Sequence, residues 1–93
     1  MAPVSDRLRR RVVRDFEAGT ADEVLVVLES LPVDILGGQD VERVLAAVVL
    51  DARGEWPRFE KAVQRLRWDW RDALVAGELA QPDWPSRLEA ALD

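Results

Sequence analysis

The chain has 93 residues, enough for one domain with a modest core, and its 48% apolar and 33% charged content is that of a folded globular protein. It contains no cysteine, histidine or tyrosine. Disulfides, thiolate or imidazole metal sites and thiol nucleophiles are thereby excluded, and acid–base chemistry is left to Asp, Glu and the single Lys61. The net charge of −5 points away from a dedicated nucleic-acid binder, and twelve of the 13 basic residues are arginine, a bias that fits a GC-rich genome. No stretch nears the roughly 18 apolar residues of a membrane helix and no secretory signal follows Met1-Ala2-Pro3, so the expected address is the cytoplasm.

In chain order, the first segment runs from about Asp6 to Glu17, with Ser5 as its N-cap. Leu8, Val12, Val13 and Phe16 fall on one side at helical spacing, and Arg7, Arg10, Arg11 and Arg14 on the other. Gly19 ends it. Thr20-Ala21-Asp22-Glu23 reads as a capping box opening a second helix that carries Val24, Leu25, Leu28 and Leu31. The alternative for Val24 to Leu28 is a short buried strand. Pro32 closes this segment, and residues 33–40 form a connector containing Gly37-Gly38.

The third segment begins at Asp40 or Val41 and is apolar almost all round through Leu50, which places it at the centre; Gly54 is its expected left-handed cap. The fourth starts near Glu55-Trp56-Pro57 and carries Phe59, Ala62, Val63 and Leu66 on one face, with Arg58, Lys61 and Arg65 on the other. The fifth runs from Asp69 to Ala76 and the sixth from Asp83 to Leu92, with Trp84, Leu88, Ala91 and Leu92 aligned. The order Arg67-Trp68-Asp69 leaves open whether the fourth and fifth are one helix or two. Asp69-Trp70 and Asp83-Trp84-Pro85 repeat one step, a capping carboxylate followed by an indole that anchors the helix.

Around Asp69-Trp70-Arg71-Asp72-Ala73-Leu74-Val75 and Asp83-Trp84-Pro85-Ser86-Arg87-Leu88, the chain resembles a group of short bacterial proteins with a similar aspartate–tryptophan ending and no attached function. The likeness covers residues 41–92. It implies an all-α protein of bacterial source and carries no active site. Gly77-Glu78-Leu79 departs from the alanine-glycine-leucine step of that group, at the end of the fifth helix.

The arginine face of the first helix (Arg7, Arg10, Arg11, Arg14) reads either as an anion- or nucleic-acid-contacting surface or as a solvated face in ion pairs such as Asp6–Arg10 and Arg11–Asp15. Arg58, Lys61 and Arg65 could make the third and fourth segments a helix-turn-helix, although Asp69 offers Arg65 a partner one turn on. Asp22, Asp40, Asp69 and Asp83 fit helix starts better than a metal or acid–base cluster, and Gly37-Gly38 lacks the lysine and hydroxyl of a phosphate loop. Trp68 and Trp70, two residues apart, cannot face one core from one helix, so one is expected at a rim, an interface or a helix junction. The four tryptophans read either as all core or core-edge, or as including one exposed indole used for a partner, with Arg67 or Arg71 able to stack on it.

The reading is a single all-α domain over residues 1–93, a compact bundle of five or six short helices. Its expected role is a non-enzymatic protein-interaction or accessory module with Arg7, Arg10, Arg11, Arg14, Trp68 and Trp70 as interaction residues. The expected partner is another protein or a second copy, with no cofactor, membrane or small-molecule substrate. The alternative is a nucleic-acid-associated regulator that uses the first helix and the basic face of residues 58–65.

Overall fold

The computed structural model describes residues 2–93. Among them the chain forms six α-helices and no strand: α1 (Asp6–Asp15), α2 (Ala18–Ser30), α3 (Val41–Ala52), α4 (Trp56–Trp68), α5 (Trp70–Ala76) and α6 (Trp84–Leu92). A 3-10 turn, Val33–Leu36, lies between α2 and α3. The all-α bundle expected from the sequence is therefore the fold, and Val24 to Leu28 lies inside a helix.

α3 is the axis of the bundle. Val44, Leu45, Ala46, Ala47, Val48 and Val49 are each at most 1% exposed. They are enclosed by α1, α4, α5, α6 and the 3-10 turn. An apolar helix that shows no polar face can be stable in water only under such a sheath. Its small residues let neighbours approach closely. A Cβ on Gly77, at the end of α5, would overlap the backbone oxygen and Cα of Ala47, so only glycine fits that crossing. Asp40 caps α3 by accepting a hydrogen bond from the Arg43 amide at 3.0 Å. At the other end Arg53 itself takes the left-handed conformation (φ 49°) before Gly54 does (φ 74°), so the turn uses two such residues where one was expected.

Helix starts differ from expectation where tertiary packing overrides local capping. α2 opens at Ala18, not at Thr20, and Glu17 stands at its N-cap position without a side-chain cap. The cause is Phe16. Its ring is buried and meets Phe59 of α4 edge-on at 6.1 Å, so the chain turns into α2 within two residues. Thr20 falls inside the first turn and cannot cap, and Gly19 is helical there rather than a stop. Val13, assigned to the buried side of α1, is 59% exposed, because that side is centred on Leu8 and Val12.

Three of the four tryptophans, Trp56, Trp70 and Trp84, are the first residue of a helix, and all three are half-buried against the core. Helical side chains lean toward the N-terminus, so an indole at a helix start reaches past its own helix and covers what precedes it. Trp70 lies over Gly37, where any side chain would strike the indole, and Gly37 is also left-handed (φ 66°). Trp84 lies under the Arg43 guanidinium, 4.5 Å from the ring centroid. Asp69 separates α4 from α5, accepting from the Arg71 amide at 2.9 Å as a cap. Asp83 makes no such bond; its carboxylate takes Arg87 Nε at 3.0 and 3.1 Å. The two aspartate–tryptophan steps thus share the indole's job but not the aspartate's.

Two neighbouring residues test the α3–α5 crossing with opposite signs. Gly77→Ala should lower stability by about 1–3 kcal/mol, because the added methyl meets backbone that cannot yield. Glu78 has φ 61°, where a side chain is strained, so Glu78→Gly should raise stability by about 0.5–1 kcal/mol. Urea midpoints of the two variants and the parent check both. Trp84→Ala should cost roughly 2–4 kcal/mol, less than a fully buried ring, and more than Asp83→Ala, which removes only an exposed ion pair.

Candidate interaction groove

The arginines of α1 divide into two sets. Arg7 turns inward along the bundle and grips Glu42 at the start of α3 with two bonds, Nε to Oε2 at 2.8 Å and Nη2 to Oε1 at 2.6 Å. Ser5, which caps α1 by accepting from the Leu8 amide, donates to the same Glu42 carboxylate at 2.5 Å. Arg11 donates to Asp15 at 2.8 Å and to the Ala91 carbonyl in the last turn of α6 at 2.5 Å. Arg10 makes no ion pair among the described residues, so the expected Asp6–Arg10 pair is not formed, and Arg14 stands outward with its Nε 3.6 Å from Asp15. The structure therefore does not gather Arg7, Arg10, Arg11 and Arg14 into one free basic face.

The second basic stripe is also engaged. Arg65 pairs with Asp51 of α3 at 2.5 Å rather than with Asp69, and Arg58 donates to the Asp51 carbonyl at 3.3 Å. Trp68 is 87% exposed at the end of α4, whereas Trp70 is half-buried. The break at Asp69 separates them, and Arg71 lies over the half-buried Trp70, at 5.3 Å, rather than over the exposed ring.

A concave apolar feature lies elsewhere, between α2 and α4. These helices do not pack against each other along their lengths. The Phe16–Phe59 contact joins them at the base, and beyond it two hollows run together. One, of about 290 Å³, is lined by Val27, Trp56, Phe59, Glu60, Val63 and Gln64. The other, of about 350 Å³, is lined by Asp22, Glu23, Val26, Val27 and Trp56. Val27 and Trp56 belong to both, so they form one groove. Trp56 stands beside Phe59, centroids 5.4 Å apart, and Val26 is 66% exposed on the rim.

The groove's charge is all of one sign. Asp22, Glu23 and Glu60 border it, none makes an ion pair among the described residues, and no basic residue lines either hollow; Lys61 and Arg65 line a separate depression on the far side of Glu60 and Gln64. α2 contains no Lys or Arg at all. None of these residues stood out in the sequence, because Asp22 and Glu23 read as part of a capping box. The signal was present: Val26 and Val27 fall outside the stripe of Val24, Leu25, Leu28 and Leu31, and they sit in a helix with acids and no bases.

No polar or charged residue is buried among the described residues, and no three carboxylates gather as a cation would require. No helix among them is long and apolar enough to cross a membrane. Within α3 residues 44–49 are buried, and Val41 and Leu50 at its two ends are half-buried against the core. Comparison with protein-family models, curated proteins and solved structures finds no match to this chain.

The Arg7–Glu42 pair has a pH signature. The Arg7 fork, and after it the Ser5 hydroxyl, hold the Glu42 carboxyl below its ordinary value near 4.5. The same bond raises Arg7 above its ordinary value. A depressed carboxylate contributes stability that is complete above its unfolded value and is lost as pH falls through its folded value. Stability should therefore decline from about pH 4.5 downward, and Glu42→Gln should flatten that part of the curve while lowering the plateau at pH 7. Urea midpoints between pH 7 and 3 read both effects.

Proposed function

We propose that this protein is a non-enzymatic interaction module, and that the groove between α2 and α4 is its docking surface. The observation that carries the reading is an open apolar furrow, with Trp56 and Val26 on its rim, in a chain whose core is otherwise closed. Contiguous apolar concavities of this kind mark binding surfaces in soluble proteins. A half-buried tryptophan such as Trp56, which lines both hollows, is among the residue types that most often dominate an interface. Support for a non-catalytic role comes from chemistry: the chain lacks histidine and cysteine, and no polar or charged side chain is buried among the described residues.

The groove suits a helix. Trp56, Phe59 and Val63 follow one face of α4 over a separation of i to i+7, roughly 10.5 Å of helix axis. An amphipathic partner with apolar anchors at i, i+3 or i+4, and i+7 spans the same length.

Titration of the isotope-labelled protein with an uncharged amphipathic helical peptide tests this. The expected result is NMR shifts at Val26, Val27, Val63 and the Trp56 indole, abolished by Val26→Asp with an unchanged denaturation midpoint. That variant should fold normally, because an exposed position changes stability by only about ±0.5 kcal/mol. Shifts confined to the Trp68 indole would move the docking surface to the α4–α5 corner and overturn the assignment.

A further inference from the structure

Resting on the groove reading, we infer that the occupant is a basic amphipathic helix of another protein: two or three apolar anchors on one face, flanked by lysine or arginine. The anchors enter the furrow along Trp56, Phe59 and Val63, and the flanking cations meet Asp22 and Glu23 on one bank and Glu60 on the other.

The charge argument is local rather than global. Five of the 18 acidic side chains, Asp15, Glu29, Glu42, Asp51 and Asp83, each hold an arginine among the described residues, and what sets the groove apart is that its three carboxylates line apolar hollows that no basic residue lines. The three at the groove have none. An apolar furrow rimmed by unpaired charge of one sign selects for the opposite sign, by attraction at the rim and by repulsion of acidic competitors. Other occupants fit less well. An anionic bilayer would be repelled by the same three carboxylates. A second copy offers no helix with a row of anchors: its exposed large apolar residues outside the groove, among those described, are Val13 on α1, Val33, Trp68 at the end of α4 and Val75 on α5, one to an element and too few for a furrow two turns long. A small ligand would lack convergent polar groups to orient it.

The test uses the full chain and three labelled helical peptides with identical apolar anchors and lysine, glutamine or glutamate at the flanking positions, followed by fluorescence anisotropy. The lysine peptide should bind roughly tenfold tighter than the glutamine peptide, as three screened ion pairs would give, and the glutamate peptide more weakly still. Raising salt from about 50 to 500 mM should erase the difference. So should the combined change Asp22→Asn, Glu23→Gln and Glu60→Gln, all at exposed positions that leave the core untouched. Equal binding of all three peptides, or preference for the acidic one, overturns the basic partner while leaving the groove as a docking surface. Binding of none overturns both. A concentration-dependent dimer by light scattering of the protein alone, lost on Val26→Asp, would make a second copy the occupant and overturn the proposal.

Discussion

The enclosure of α3 governs everything else in this fold. A helix with no polar face must be covered on every side, and a 93-residue chain has few elements with which to do it. α1, α4, α5, α6 and the 3-10 turn are all drawn onto α3. α2 takes no large part in that sheath and packs instead on α1, held near α4 by Phe16 against Phe59. The space between α2 and α4 is the consequence. Too few helices remain to fill it, and Val27, Trp56 and Val63 border an open furrow.

Tryptophan and glycine complete the sheath where helices are too short to do so. α5 has seven residues and α6 nine, each too short to be stable alone. Each begins with an indole that leans back over the preceding element, Trp70 over Gly37 and Trp84 under Arg43. Where the backbone of α5 must touch α3, Gly77 meets Ala47. Small residues bring the helices together and large ones seal the joints, so the C-terminal third depends on a few positions rather than on helix propensity.

What the sequence disclosed and what it hid follow one rule. Patterns that act within one helix were legible: the stripe Phe59, Ala62, Val63 and Leu66, the all-round apolar α3, and the caps at Ser5, Asp40 and Asp69. Features that depend on elements distant in sequence were not. Thr20-Ala21-Asp22-Glu23 satisfies every local criterion of a capping box, yet burial of Phe16 starts the helix two residues earlier. Asp6 is correctly spaced for Arg10, and Asp69 for Arg65, but Arg65 finds Asp51 of α3 and Arg10 remains outward. The groove joins α2 to α4 across the whole of α3, so no spacing in the chain announces it.

The preference for arginine acquires a structural reason beyond codon usage. Arg11 reaches a last-turn carbonyl of α6, Arg58 one of α3, and Arg43 the Leu79 carbonyl while lying over Trp84. The Ala91 and Asp51 carbonyls, in the last turns of α6 and α3, lack intrahelical partners and carry the negative end of the helix dipole, so a cation there satisfies a bond and a field together. A planar guanidinium can also bind an acid or cover a ring with its remaining edge or face, which an ammonium cannot do as well. Arg11 holds Asp15 as it caps α6, and Arg7 reaches both oxygens of Glu42. The arginines therefore act as ties between helices, and few of them are left to pair with the acids outside those joints. Asp22, Glu23 and Glu60 border the furrow that α3's enclosure left open. The apolar opening and its charge thus have separate physical origins, yet they coincide, and their coincidence makes this surface selective rather than merely exposed.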